Sequence, residues 1–269
     1  MPPSHAHAGR QAQRDRARRK AREDLRLAPV VEIPASAIRV VDLGPRVVLA
    51  CSGPSLNRVD VRAPGVPVVA VSTAIRNPQL VKPDVWVFAD RLNHNHGQTA
   101  KGLWDHPDVV KVIPEASRDK GGVNIVRVPY LSGRANERRN KADGRDFMDG
   151  KLPLLRDTHK SVTFALGWLS VAGVTEIIIC GCDLRVDKLP TEKYGYDLTG
   201  RWRRETSRLN QVLASTLQSV RRFAEAAPKH GITLLSWSPG GRTDEFMEIY
   251  DASAHTGPAE AEGWEPAPL

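Results

Sequence analysis

Two small polar turns in this chain stand where apolar runs stop abruptly, and both carry groups able to hold a ligand. Val47, Val48, Leu49 and Ala50 end on Cys51 and then on Ser52-Gly53-Pro54-Ser55. Ile177, Ile178 and Ile179 end on Cys180-Gly181-Cys182-Asp183. A short continuous apolar run followed by such a break reads as a buried parallel strand delivering its loop to the carboxyl end. In open α/β sheets ligands bind there, because backbone N–H groups and hydroxyls face a crevice that the helices leave uncovered. If the sheet is doubly wound, Ser52 to Ser55, Ser72, Thr73, Asp90, Ser161 and Asp183 line one crevice.

The carboxylates carry two readings each. Asp90 and Asp183 cap the turns that follow their strands, or they hold magnesium as hard oxygen ligands beside a phosphate. Ser161 reads as the start of a helix, a position that suits both an N-cap and an anion contact. His94 and His96 form a His-x-His pair that could ligate zinc but lacks an evident third ligand, and it reads more readily as an acceptor contact or as surface residues. Cys180 and Cys182 lack the two-residue gap of zinc and redox motifs, and with Cys51 they read as small packing residues of a chain from a reducing cytoplasm.

The elements that must position these groups follow from the pattern. Val66–Ser72, Val85–Ala89, Val109–Ile113 and Val123–Val128 are further β-branched runs between turn residues, and Ile232–Trp237 is a last strand. Ser161 opens an amphipathic helix that Gly173 stops. Leu209, Val212, Leu213, Leu217, Val220, Phe223 and Ala224 form the stripe of a second helix over Thr206 to His230. The expectation is an α/β fold: a single Rossmann-like domain with a mostly parallel sheet, spanning residues 27–250. Residues 1–26 are expected to be a basic disordered arm and residues 251–269 a disordered tail rich in Ala, Glu, Gly and Pro. The segment from Leu27 to Val40 reads as an edge segment, and Ser132 to Thr158 as an arginine-rich loop.

The chain has 269 residues and a net charge of +8. The basic excess is concentrated in the arm, where Arg10, Arg14, Arg16, Arg18, Arg19, Lys20, Arg22 and Arg26 face only Asp15, Glu23 and Asp24. Such an arm binds phosphates without reading sequence, or serves only as a solvated tail. No apolar stretch is long enough to span a bilayer, and the charged start does not read as a signal peptide, so a cytoplasmic location is expected.

Cys-Ser-Gly-Pro-Ser-Leu at 51–56, Pro83-Asp-Val-Trp-Val-Phe-Ala-Asp90 and the segment from Ser161 through Gly181-Cys182-Asp183 together resemble a superfamily. It joins bacterial lipooligosaccharide sialyltransferases, flagellin-glycosylation motility accessory proteins and archaeal 6-hydroxymethylpterin diphosphokinases, with many uncharacterised phage members, of which this chain resembles one. The resemblance implies a glycosyltransferase using a nucleotide-sugar donor. Nucleotide contacts would come from Ser52, Gly53, Pro54, Ser55, Ser72, Thr73, Asp90 and Ser161, although Ser52 stands where the family usually has asparagine. It also implies a lid between Asp183 and the long helix, in which Tyr194 and Tyr196 contact the leaving phosphate and Arg201, Arg203 and Arg204 neutralise its charge. The family's lid histidine is missing here, which leaves the general base to Asp183, His159 or Asp197. The acceptor would be a hydroxyl, on a glycan or on a polyanion such as hydroxylated phage DNA. The diphosphokinase branch implies instead a phosphotransferase with magnesium at Asp90 and Asp183. A third reading is a nucleotide-binding protein without catalysis.

Overall fold

Side chains alternate across a strand, so a strand of uniformly apolar residues is stable only where both faces of its sheet are covered. The computed structural model, which describes residues 41–80, 82–89, 98–114, 117, 121–128, 161–185 and 206–253, has that construction. Eight strands form one sheet: β1 (Arg46–Ala50), β2 (Val68–Val71), β3 (Val85–Val87), β4 (Val110–Pro114), β5 (Ile125–Val128), β6 (Glu176–Cys180), β7 (Thr233–Trp237) and β8 (Glu248–Ile249). Their spatial order is β5-β4-β3-β2-β1-β6-β7-β8, and every neighbouring pair is parallel. The expected α/β fold with a parallel sheet is therefore observed.

Val47 and Leu49 of β1 face one core together with Ile177 and Ile179, while Val48 and Ala50 face the other with Ile178 and Cys180. The first core is roofed by α2 (Ser161–Val171) and α3 (Thr206–Ala226), the second by α1 (Gln98–Trp104) and short 3-10 turns at Pro54–Arg58, Ser72–Arg76 and Pro78–Leu80. The chain thus steps outward from β1 to β5 and then returns to add β6 on the other side of β1. That reversal makes the β1/β6 boundary the switch point of the sheet.

Two details depart from expectation. Helix α2 was expected to be amphipathic, yet every residue from Ser161 to Leu169 is buried. The helix lies against β2 and β3 on one side and α3 on another, so it has no solvent face to mark with polar residues. The long helix stops being α-helical at Ala226 and finishes as a 3-10 turn over Ala227–His230, before Gly231. The segments expected at 1–26, Leu27–Val40, Ser132–Thr158 and beyond Ser253 lie outside the described residues. No helix of the described residues is long and apolar enough to cross a membrane.

Lys111 is the one charged residue in β4, and it is fully buried beside Trp86, its neighbour in the β3/β4 register. Its ammonium donates to the carbonyls of His106 (2.5 Å) and Val123 (2.8 Å), so it ties the turn after α1 to the entry of β5. Burial pushes its pKa below the usual lysine value, with Asp105 opposing the shift. Truncation leaves two carbonyls short of a donor and opens a void. Lys111→Ala should therefore cost about 2–4 kcal/mol in urea unfolding, and a loss below about 0.5 kcal/mol would show that the ammonium bonds add nothing net.

Candidate functional site

At the switch point, β1 and β6 run on past their last paired residues as two interlocked loops. The Cys51 amide donates to the Cys180 carbonyl (2.8 Å), and the Gly53 amide donates to the Gly181 carbonyl (2.6 Å). Gly181 sits at φ +65°, and a β-carbon there would fall 2.4 Å from the Cys51 carbonyl oxygen. At Gly53 a β-carbon would fall 2.0 Å from Asp183 Oδ2. Both positions demand glycine, because the backbones approach more closely than any side chain allows.

Asp183 occupies the centre of this arrangement and is 6% exposed. Its Oδ2 accepts from the Ser55 amide (3.1 Å) and from the Ser55 hydroxyl (3.0 Å), and Ser55 is itself 1% exposed. Burial raises the Asp183 pKa above the usual carboxylate value, while the two Ser55 donors and the nearby Arg58 guanidinium hold it back. The β7 loop closes the third side. The Arg242 amide donates to the Asp183 carbonyl (2.8 Å), and Ser238 Oγ accepts from the Cys182 amide (3.1 Å). A β-carbon on Gly241 would lie 2.8 Å from the Ser238 carbonyl and 3.1 Å from Asp183 Cα.

The other hydroxyls stand around this centre. Ser52 is partly exposed, and its hydroxyl has no partner among the described residues. Pro54 is partly exposed beside it. Ser72 follows β2 at φ +49°, a left-handed conformation rare for serine, and its carbonyl accepts the indole N–H of Trp86 (2.9 Å). Thr73 lies in the same turn, half-buried. Ser161 is 8% exposed, and its Oγ accepts from the Ala89 amide (3.0 Å), which pins the start of α2 to the end of β3.

Cys51, Cys180 and Cys182 are free and buried. Burial raises the thiol pKa of Cys180, and a hydrogen bond with Cys51 together with burial raises that of Cys182. Cys180 and Cys182 pack the strand ends in the protonated form and are poor nucleophiles. No group of three or more His, Cys, Asp or Glu among the described residues is placed to hold a metal. Of the carboxylates expected for magnesium, Asp90 lies outside the described residues, and Asp183 has its Oδ2 occupied by Ser55. His94, His96, His159, Tyr194, Tyr196, Asp197, Arg201, Arg203 and Arg204 also lie outside the described residues.

No protein-family model matches the chain, and no curated protein matches it. Among solved structures it is similar to a sialyltransferase. That structure is described as the crystal structure of the sialyltransferase CST-II in complex with trisaccharide acceptor and CMP. The two are 12% identical over 77% of this chain and 86% of the other, with a TM-score of 0.35.

Sequence reasoning reads Ser238–Arg242 as the loop after the last strand but does not place it in the site. Ser238, Gly241 and Arg242 join the site through contacts to residues about sixty positions earlier in the chain, and the Gly240-Gly241 pair at the end of β7 was the available signal. Arg58 and Arg185 were also missed. Their guanidinium groups donate to the carbonyls of Pro239 (3.4 Å) and Gly240 (3.3 Å) of that same loop.

Removing the Asp183 carboxyl orphans the buried donors of Ser55. Asp183→Ala is therefore expected to cost about 2–4 kcal/mol by urea unfolding. Folding favours the protonated carboxyl, since its folded pKa is raised above 3.8. This group's contribution is therefore greatest below that value and declines as pH rises through the folded pKa. The wild-type stability curve minus that of Asp183→Asn should show the decline, and a flat difference would mean that the carboxyl titrates as it does in water.

Proposed function

We propose that this chain is a glycosyltransferase-like enzyme that takes a nucleotide-activated sugar at the carboxyl ends of β1 and β6 and moves the sugar to an acceptor hydroxyl. The observation that carries the reading is the pair of interlocked loops at the switch point of a parallel sheet, where open α/β folds bind their ligands. Ser52 offers that crevice a hydroxyl with no other described partner. The resemblance of the 51–56, 83–90 and 161–183 motifs to the sialyltransferase superfamily supports the donor class.

In this reading Ser52 and the Gly53 region meet the ribose or phosphate, while Ser72, Thr73, Asp90 and Ser161 stand around the nucleotide. The transfer is a direct displacement at the anomeric carbon. The acceptor hydroxyl loses its proton to a general base, and the bond to the donor phosphate breaks as Tyr194, Tyr196 and the arginines 201, 203 and 204 take up the leaving group's charge. Asp183 is a poor choice of base, because Ser55 already occupies its Oδ2 and little of it is exposed. His159 and Asp197 are the bases this proposal retains. A polyanionic acceptor suits the basic arm and the arginine-rich stretch of 134–156, through charge alone.

Thermal-shift titrations of the full chain with cytidine, uridine, guanosine and adenosine monophosphates and diphosphates, with and without magnesium, test the reading. Stabilisation by a pyrimidine or guanosine nucleotide without metal is expected, through linkage of binding to folding. Gly53→Ala should weaken that nucleotide at least about tenfold, because its β-carbon displaces the Asp183 carboxylate. Stabilisation only by adenosine nucleotides with magnesium would point to a phosphotransferase. No response to any nucleotide would remove the donor site from the proposal.

A further inference from the structure

We propose that Asp244 is a positioning residue for the nucleotide site: it holds the loop after β7 in the shape that keeps the Asp183 turn in place. The inference deepens the nucleotide-sugar reading and rests on it, since it names what sets the third side of the crevice. The loop grips the β6 turn through its own backbone and one hydroxyl. Ser238 Oγ accepts from the Cys182 amide (3.1 Å) and donates to the Ile179 carbonyl (3.4 Å), while the Arg242 amide donates to the Asp183 carbonyl (2.8 Å). These bonds stay aligned only while the loop keeps its form.

Asp244 fastens that form from within. One of its carboxylate oxygens accepts from the Ser236 hydroxyl (2.6 Å), which belongs to β7, and the other accepts from the Gly240 amide (3.1 Å) at the exposed tip of the loop. Ser236 and Thr243 are fully buried, with their hydroxyl oxygens 2.8 Å apart. A hydroxyl has one proton to give. Ser236 gives its proton to Asp244, so Thr243 donates to Ser236, and the three groups form a directed chain that ends on the carboxylate. Bonds to an ionised acceptor are the short, strong ones. With that acceptor removed, the fully buried Ser236 hydroxyl loses its partner at the end of the chain, and an unpaired buried donor is costly. The neighbouring acid does not stand in, because Glu245 is paired with Arg242 and Arg221.

Calorimetric titrations of the full chain with cytidine monophosphate, uridine diphosphate and guanosine diphosphate test the role, at a temperature where circular dichroism shows each variant folded. Asp244→Ala and Ser236→Ala are each expected to weaken the nucleotide that wild type binds about tenfold, the scale of one lost anchoring bond. The double variant should be no weaker than Asp244→Ala, since both side chains act through one loop. Asp244→Asn, which offers one acceptor oxygen where aspartate uses two, should fall between wild type and Asp244→Ala, and it carries the test with Ser236→Ala if Asp244→Ala does not fold. Lys111→Ala perturbs the amino end of β4, away from the crevice, and should bind as wild type does. Hydrogen exchange, followed by mass spectrometry on peptides carrying Cys182 and Arg242, needs no nucleotide. Both peptides should exchange faster in the Asp244 and Ser236 variants and not in Lys111→Ala. Unaltered affinity in those variants, an equal loss in Lys111→Ala, or unaltered exchange at Cys182 and Arg242 would each overturn the positioning role. Faster exchange there, with no nucleotide bound by wild type, would keep Asp244 as the anchor of the loop and remove the donor site instead.

Discussion

A carboxylate taken out of water is tolerated only where donors replace the water it loses. Asp183 meets that condition largely through Ser55, whose amide and hydroxyl both converge on Oδ2. Everything at the carboxyl edge of β1, β6 and β7 is arranged around this contact. Gly53 has no side chain because the carboxylate fills the space one would need, and Gly241 has none because its loop lies against the Asp183 backbone. The Asp183 carbonyl meanwhile takes the Arg242 amide. Three loops from distant parts of the chain are therefore registered to one another by one acidic residue.

That registration requires a rigid platform, which the sheet supplies. Parallel strands covered on both faces leave no side of β1 or β6 exposed, and their ends are fixed to within the play of the close-packed cores. Ser161 extends the same logic to the other half of the sheet by binding the Ala89 amide at the end of β3. Ser72, held in a left-handed conformation with its carbonyl on Trp86, marks the end of β2 as a second place where local geometry is set by the surroundings.

The strands from β1 to β7 were legible in the sequence because uniform β-branched runs have little choice but a doubly covered sheet. β8 was not legible. It is two residues long, exposed on both, and exists through its pairing with β7 and through the Tyr250 amide on the Ser236 carbonyl. The burial of α2 on all sides was also hidden, since an apolar periodicity does not tell how many neighbours a helix will have. At the site, the residue types and the turn positions could be read, but not which way Ser55 faces. A serine in a polar turn looks like a ligand contact until a buried carboxylate 128 positions away claims it. The convergence of Arg58 and Arg185 on one turn is likewise a product of tertiary closure that no local pattern encodes.

The switch in strand order also has a temporal side. β1 pairs with β6, and Arg46 meets Glu176 across 130 positions of chain. During synthesis the first five strands can assemble long before β6 exists, and β1 must then stand as an open edge with its whole run of Val47 to Ala50 apolar on both faces. Such an edge is a template for pairing with any other chain. The centre of the finished sheet is thus, for most of the chain's emergence, its most adhesive border, and the arrival of β6 both closes that border and creates the crevice.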